Sequence, residues 1–321
     1  MRGGRTAVFS GILGREEATM HSIFAHDAVD LHLHTLASDG RWTVAELIDY
    51  LAKKRFRVAA LCDHDTMAAV DDAIELGKKY GLVIVPGVEV TTRWADRQWH
   101  LLVYGVDPAL PTARAFRAIL DELADRLWAE AARAIVALER NGYRLRALRE
   151  IVGGRPLRPH HVLLALIQEG SATNLATAHE ITKRLGEPMT VDVPLSRAVA
   201  AAHEAGGICI LAHPGRDDGA GVLTVETLER MRMEIPIDGL EAHYRSHTLE
   251  QTETLRAWCA RFGLLASAGS DSHAPGHPVD PIPYPAVSIA GLLRRFAIDV
   301  LSEEDVSEHA AVAEQASSRA E

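Results

Sequence analysis

The sequence has little cysteine and no long hydrophobic segment. Only three of its 321 residues are cysteines, and they are widely spaced, which excludes a disulfide framework and a Cys-x-x-Cys zinc site. No run of about 18 apolar residues is present, so the sequence predicts no membrane span. Residues 1–28 lack a signal-peptide pattern, and Met20 is a second candidate start. We therefore expect a cytoplasmic protein.

Positive charge is also in deficit. The chain has 34 Lys and Arg residues against 44 Asp and Glu residues, a formal net charge of −10. A protein of this charge is not expected to bind long duplex nucleic acid, because duplex phosphates must be neutralised by many basic side chains. Any bound anion needs a local source of positive charge. No feature of the composition points to an obligate protein partner.

Short apolar runs alternate with amphipathic helical patterns in two parts of the chain, residues 29–110 and 195–300. This alternation is typical of βα units and predicts a parallel sheet inside a barrel-like α/β domain. Seven strands are predicted, at residues 29–34, 58–64, 82–90, 100–106, 208–213, 239–244 and 264–270.

The stretch between the two βα parts has a different pattern. Residues 111–194 show helical periodicity and no convincing strand, so we expect a helical insertion there. Residues 1–28 are expected to form an N-terminal extension, and residues 301–321, rich in Ser, Glu and Ala, a flexible tail.

Histidine is in excess, and its positions follow the predicted strands. His32 and His34 stand two residues apart on the first strand, so their side chains share one face. Such a pair alone is most often structural, but possible metal ligands recur at or near the ends of most predicted strands. The candidates are His32, His34, Asp39, His64, Glu89, His100, His213, Asp271 and His273. Since the C-terminal ends of barrel strands share one face, we expect these side chains to converge.

Nine candidate ligands exceed the three or four protein ligands of a single zinc ion. The sequence therefore predicts two or three divalent ions. Mixed imidazole and carboxylate donors favour manganese, iron or zinc. Two such ions about 3.5 to 4 Å apart can activate a water and hold the oxygens of a phosphate ester. They would also supply the positive charge that the composition lacks.

The candidate ligands stand in a series of motifs within residues 29–280. These are Asp30-Leu31-His32-Leu33-His34-Thr35 with Ser38-Asp39-Gly40, Cys62-Asp63-His64-Asp65-Thr66, Pro86-Gly87-Val88-Glu89-Val90, His100 before Tyr104-Gly105, Ala212-His213-Pro214-Gly215, and Gly269-Ser270-Asp271-Ser272-His273. In order and spacing they resemble the PHP (polymerase and histidinol phosphatase) metallophosphoesterases. The resemblance implies a distorted (β/α)7 barrel interrupted by a small all-helical insertion domain, with all nine residues as metal ligands.

The resemblance is strongest to stand-alone bacterial enzymes that remove the 3′-phosphate from nucleoside 3′,5′-bisphosphates and trim short RNA from its 5′ end. It implies a metal-dependent phosphoric ester hydrolase that uses attack by a metal-bound hydroxide. The expected substrate is a small phosphorylated nucleotide or a short 5′-phosphorylated oligoribonucleotide.

Four residues are expected to contact the substrate. Arg158-Pro159-His160 resembles a substrate clamp of the family, in which Arg158 holds a phosphate and His160 gives a proton to the leaving oxygen. Tyr244 and Arg245 follow the sixth predicted strand and are expected to contact the base or the second phosphate.

Several alternatives remain open at the level of sequence. Arg158 could instead cap a loop, with His160 beginning a helix. The substrate could be another small phosphomonoester such as histidinol phosphate, or the chain could be a metal-bound regulatory module without turnover. His161 is expected at the surface.

Overall fold

The structure of the protein is a computed structural model that describes residues 21–217 and 221–302. Met20, most of the predicted N-terminal extension and nearly all of the predicted tail lie outside the described residues. The strands are β1 (His21–Phe24), β2 (Ala28–Leu33), β3 (Phe56–Leu61), β4 (Val83–Trp94), β5 (Arg97–Tyr104), β6 (Val193–Pro194), β7 (Ile208–Leu211), β8 (Gly239–Tyr244), β9 (Leu265–Gly269), β10 (Tyr284–Pro285) and β11 (Ile298–Leu301).

The helices connect and cover these strands. They are α1 (Val44–Lys53), α2 (Val70–Tyr80), α3 (Arg114–Arg140), α4 (Leu148–Val152), α5 (Pro159–Gln168), α6 (Leu175–Arg184), α7 (Leu195–Glu204), α8 (Val225–Glu234), α9 (Leu249–Phe262) and α10 (Ala290–Leu293), with 3-10 turns at Pro111–Ala113, Ala286–Ile289 and Arg294–Phe296. Among the described residues, none of the helices is both long enough and apolar enough to cross a lipid bilayer.

All seven predicted strands are present, and they form a nearly closed barrel in the order β2-β3-β4-β5-β7-β8-β9. The two-residue strands β10 and β6 pair beside β2 and β4. The gap between β9 and β2 is bridged just beyond β9, where Asp271 N–H donates to His32 C=O at 2.8 Å and His34 N–H donates to Ser272 C=O at 3.0 Å. The chain segments that carry these candidate ligands therefore also close the barrel.

Local sequence signals account for several element ends. Thr43 and Glu46 form a capping box at the start of α1, each accepting the other's backbone N–H. Gly81 ends α2 in the left-handed conformation, with φ of 65°. Thr248 and Gln251 form a second capping box at the start of α9.

One predicted connection is wrong. β4 and β5 are joined by a two-residue turn, Ala95 and Asp96, and run antiparallel, where a parallel βα unit was expected. Both turn residues have positive φ, 49° and 60°, the pattern of a tight hairpin. Since β5 also runs antiparallel to β7, its first half lies at the rim where the parallel strands end. This reversal explains how His100, near the start of β5, reaches the same rim as the other ligand candidates.

The helical segment is divided between two cores. Phe116, Ile119 and Leu123 in the first half of α3 pack into the core around the barrel. Ala131, Ala134 and Leu138 in its second half pack with α5 and α6 in a separate core. α3 thus anchors the helical segment to the barrel.

The two ends of the described chain pair with each other. β1 and β11 form a two-stranded parallel sheet, with His21 opposite Ile298 and Phe24 opposite Leu301. This small sheet lies partly within residues expected to be extension and tail.

A buried hydroxyl inside the barrel provides a test of the fold. Tyr104 is fully buried and donates its O–H to Leu31 C=O at 2.7 Å. Tyr104→Phe leaves that carbonyl without this donor, so we expect the free energy of unfolding to fall by about 1 to 2 kcal/mol in urea denaturation. Tyr80→Phe, at a position 53% exposed, is the matched control and should leave stability unchanged. Equal stabilities for the two variants would contradict the packing described here.

Candidate metal centre

The centre of the site is the carboxylate of Glu89, which projects from β4 and is almost completely buried. Five imidazoles surround it. Oε2 lies 3.0 Å from His32 Nε2, 3.2 Å from His34 Nε2 and 3.3 Å from His64 Nδ1. Oε1 lies 2.9 Å from His100 Nδ1 and 3.1 Å from His213 Nε2.

A second carboxylate, that of Asp271, approaches the cluster from the segment after β9. Its Oδ1 lies 3.0 Å from His34 Nε2 and 3.4 Å from His273 Nδ1. Asp39, in the loop after β2, completes the set, with Oδ2 at 3.3 Å from His273 Nε2 and 3.9 Å from His64 Nε2. All nine residues singled out in the sequence thus lie in one cluster at one rim of the barrel.

Eight of the nine side chains fall into overlapping groups whose donor atoms are within 4.8 Å of one another. The groups are His34, Asp39, His64 and His273; His32, His34, Glu89 and Asp271; and His64, Glu89 and His100. His213, the ninth, lies 3.1 Å from Glu89 Oε1. Glu89 belongs to two groups and offers two carboxylate oxygens.

Buried nitrogens test whether these residues fit metal ions. Within the part of the chain that the structure describes, His34 Nδ1 and Nε2, His64 Nδ1 and His100 Nδ1 are buried and face carboxylate oxygens without well-aligned hydrogen bonds. Buried polar atoms normally have well-aligned partners, and an imidazole nitrogen facing carboxylates is a good metal donor. The donor set therefore fits divalent metal ions.

The electrostatics of the metal-free cluster are those of ion pairs. Burial opposes ionisation of Glu89, but the imidazoles of His32, His64 and His100 outweigh it and hold the pKa of this carboxyl well below its usual range. Burial likewise opposes protonation of His32, but Glu89, Glu241 and Asp271 raise its pKa well above the ordinary value. Protons on imidazoles such as His32 and His34 balance the carboxylates, whereas burial lowers the pKa of His64 to about 3 and keeps that ring neutral.

Glu241 was not selected as a site residue by sequence reasoning. It is fully buried on β8, and its Oε1 lies 2.9 Å from His32 Nδ1 while its Oε2 accepts His213 N–H at 2.7 Å. A carboxylate on Nδ1 fixes the ring so that Nε2 faces the cluster, a common arrangement behind metal-bound histidines. The sequence did contain a signal: Glu241 is an acidic residue inside a predicted strand, two residues past the start of β8.

Asp63 performs a similar task for the loop after β2. It is buried, and its Oδ1 accepts Thr35 N–H at 2.7 Å and the Ser38 hydroxyl at 2.6 Å. These bonds fix the loop that carries Asp39.

Backbone strain is concentrated in the same place. His213 and Asp271 have positive φ values of 30° and 54°, as does Asp65 at 54°. Non-glycine residues adopt this region rarely and at a cost, and they are held there by surrounding structure, often at functional sites. The turns aim His213 and Asp271 inward.

Tyr244 and Arg245, predicted to contact substrate, both bind Asp271. Tyr244 donates its O–H to Asp271 Oδ2 at 2.7 Å and is buried. Arg245 donates to the same oxygen and to Ser270 C=O, at 2.9 Å for the latter. Arg245 also lines the open cavity, whereas Tyr244 is not among the lining residues. With Oδ2 occupied in this way, Oδ1 of Asp271 is directed to the histidines.

The cluster forms the floor of a cavity of about 390 Å³. Its walls include three guanidinium groups, those of Arg41, Arg216 and Arg245. Arg41 and Arg216 were not predicted, although each directly follows a ligand motif, Ser38-Asp39-Gly40 and His213-Pro214-Gly215. The local positive charge required by the composition is therefore present around the cluster.

The helical segment supplies His160 and Arg158. His160 lines the cavity, and burial lowers its pKa to about 3, so its imidazole is neutral near pH 7. Arg158 is buried and donates Nη1–H to His64 C=O at 2.9 Å, which ties the start of α5 to the barrel. The expectation that His161 lies at the surface is wrong: it is buried, and its Nδ1 accepts Arg158 N–H at 3.1 Å.

Comparison with known proteins shows which family the chain belongs to. The PHP domain model matches residues 30–211, more than half of the chain. The chain belongs to the PHP domain family. The predicted family is therefore confirmed, and with it the enzyme class, a metal-dependent phosphoesterase.

Characterised and solved PHP proteins cover most of the chain. A 5′-3′ exoribonuclease of Haemophilus influenzae is 30% identical over 77% of this chain and 90% of its own. A 3′,5′-nucleoside bisphosphate phosphatase of Chromobacterium violaceum is 31% identical over 77% of this chain and 88% of its own. A solved Bifidobacterium adolescentis protein, named for metal-dependent phosphoesterase activity, is 25% identical, with a TM-score of 0.72 over 84% of this chain and 96% of its own. The predicted barrel fold is confirmed.

Metal binding should release protons. Because imidazoles such as His32 and His34 have raised pKa values in the metal-free cluster, they are protonated near neutral pH and must lose those protons to bind an ion. We expect apparent affinity for Mn²⁺ or Zn²⁺ to increase from pH 6 to pH 8. Calorimetric titration in buffers of different ionisation enthalpy measures the protons released. A heat that does not depend on the buffer would contradict the proposed ligand set.

Glu241→Gln tests the carboxylate behind His32. The amide keeps the size but loses the charge that orients and polarises the imidazole, so we expect metal affinity to fall about 10- to 100-fold with the fold retained. Glu253→Gln, at an exposed position on α9, is the matched control. Equal metal affinity in both variants would show that Glu241 does not support metal binding.

Proposed function

We propose that the nine clustered side chains bind two or three divalent ions, with manganese, iron or zinc as candidates. We further propose that the chain removes the 3′-phosphate from nucleoside 3′,5′-bisphosphates and trims short 5′-phosphorylated oligoribonucleotides. The observation that carries the proposal is a basic-walled cavity with a buried histidine and carboxylate cluster as its floor. The names of the Haemophilus and Chromobacterium relatives support this substrate class.

The bound ions would supply Lewis acidity and activate a water nucleophile. Asp39, Glu89, Asp271 and the surrounding histidines would hold them. Glu241 fixes the orientation of His32, and Tyr244 with Arg245 fixes that of Asp271. The protein therefore needs little rearrangement when the substrate arrives, which favours electrostatic stabilisation of the transition state.

The basic walls orient the substrate. Arg41, Arg216 and Arg245 line the cavity and can hold phosphate oxygens as planar, permanently charged donors. His160 lines the same cavity, and its N–H can donate a hydrogen bond to a bound phosphate. A phosphate dianion beside it raises the pKa of the imidazole, so the ring can take up a proton from water and pass it to the leaving ribose oxygen. Arg158 positions His160 through its bond to His64 C=O.

The size and charge of the protein suit small substrates. A cavity of about 390 Å³ in a chain of net charge −10 accommodates a nucleotide or the end of a short RNA, and no long duplex. All three cysteines are unpaired and buried, in keeping with the proposed cytoplasmic location.

His34→Ala and Asp271→Asn test the proposed reaction. Each removes a candidate metal ligand from the centre of the cluster, so we expect phosphate release from adenosine 3′,5′-bisphosphate to fall at least about 1,000-fold, with circular dichroism unchanged. His21→Ala, on the exposed strand β1, should retain full activity. Metal content is measured on every sample.

The same assay distinguishes the alternatives. Retained turnover in a variant of verified metal content would refute the ligand assignment. Activity on histidinol phosphate with none on the bisphosphate or on short RNA would refute the proposed substrate. An absence of turnover on all phosphate esters with metal bound would favour the regulatory module.

A further inference from the structure

A second chamber opens beside the metal centre, between the loop after β2 and helices α4 and α5. Its volume is about 410 Å³. It shares Asp39, Arg41, His160 and Leu164 with the cavity over the histidine and carboxylate cluster, so the two spaces adjoin. A substrate whose phosphate lies over the cluster can therefore extend into the chamber.

The walls of the chamber are chemically unlike those over the cluster. Leu36, Ile151, Leu164 and Ile167 give it aliphatic sides. Its charged lining groups are the Asp39 carboxylate, whose Oδ2 faces His273 at 3.3 Å, and the guanidinium groups of Arg41 and Arg155. The donors of Arg155 are already bound to backbone carbonyls of Leu36, Ile151 and Val152. Aliphatic sides beside planar guanidinium groups, which can stack on a ring, suit a flat nucleobase.

The chamber also presents hydrogen-bonding groups. Gln168, the last residue of α5, lines it with a primary amide that can donate and accept at once. Within the described part of the chain, this amide has no protein partner. One donor and one acceptor side by side complement the edge of a nucleobase, as in the bidentate contacts of glutamine with adenine.

Hydrogen bonds of Arg155 hold the two sides of the chamber apart. Arg155 donates Nη1–H to Leu36 C=O at 3.2 Å and Nε–H to Val152 C=O at 3.0 Å. It therefore ties the end of α4 to the barrel loop and fixes the separation of the two aliphatic sides. A planar ligand needs such a fixed slot.

A third cavity, on another side of His160, is a poorer candidate. It measures about 250 Å³ and contains a second buried carboxylate, Asp65, in addition to Asp39. It also contains the guanidinium of Arg158, which is already bound to His64 C=O. Both its size and its charge favour the chamber at Gln168 for the base.

We propose that the chamber lined by Ile151, Leu164 and Gln168 binds the nucleobase of the nucleotide whose phosphate lies over the metal cluster. The proposal rests on the proposed function and adds where the base of its nucleotide substrate binds. It makes the helical segment the part of the protein that recognises the base, and Gln168 a residue that determines specificity.

Two substrates and three variants test it. The substrates are adenosine 3′,5′-bisphosphate and its abasic tetrahydrofuran analogue. Gln168→Ala should lower kcat/KM for the adenosine compound about fivefold, the equivalent of one neutral hydrogen bond. Ile151→Trp, which fills the chamber, should lower it at least about tenfold. Both should leave the abasic analogue within about twofold, and Thr190→Ala, in the third cavity, should leave both substrates unchanged.

Binding separates this proposal from the proposed function. The dissociation constant of adenosine 5′-monophosphate, measured by calorimetry on the metal-loaded enzyme, should rise by the same factors in Gln168→Ala and Ile151→Trp. If these changes appear but the wild type hydrolyses no bisphosphate, base binding in the chamber is supported and the proposed function is contradicted.

Three results would overturn the base chamber. One is turnover of the adenosine compound that is unaffected by both chamber variants. Another is an equal loss on the abasic analogue. The third is an effect of Thr190→Ala alone, which would place the base in the third cavity.

Discussion

The fold depends on how a buried carboxylate at Glu89 is neutralised. Taking this charge out of water is unfavourable unless cations or polar donors surround it, and five imidazoles from four segments of the chain do so within 3.3 Å. Those imidazoles can carry protons or donate electron pairs to metal ions. In either case, positive charge must lie beside the buried carboxylate. Metal binding is therefore coupled to the charge balance at the centre of the barrel, and the surrounding structure keeps this cluster in register.

The backbone brings the side chains of the cluster to one rim in two ways. The carboxyl ends of parallel strands bring His34, His64 and His213 to one rim, as the βα pattern predicts. His100 reaches the same rim only because β5 reverses direction after the turn at Ala95 and Asp96. Strained turns at His213 and Asp271 complete the approach, and the hydrogen bonds around them keep them in that conformation.

Sequence predicted the seven barrel strands and all nine clustered residues, because strand periodicity and short motifs are local signals. It missed the hairpin at Ala95, since a turn of two non-glycine residues with positive φ leaves little trace in composition. It also missed Glu241, whose role depends on contact with His32, 209 residues away. Tyr244 was placed at the correct rim, but its partner, Asp271, belongs to a different strand end. Long-range pairing of this kind becomes visible only in three dimensions.

The helical segment differs from the barrel in what it contributes. The barrel supplies every residue of the metal cluster, while the segment supplies His160, Arg158 and one side of each neighbouring space. Arg155 and Arg158 attach it by single hydrogen bonds to the carbonyls of Leu36 and His64, in the loops that follow β2 and β3. Changes in this segment can therefore alter what the cavity admits without disturbing the ligands below it. The barrel thus carries the whole histidine and carboxylate cluster, and the separately packed helical segment shapes the space above it.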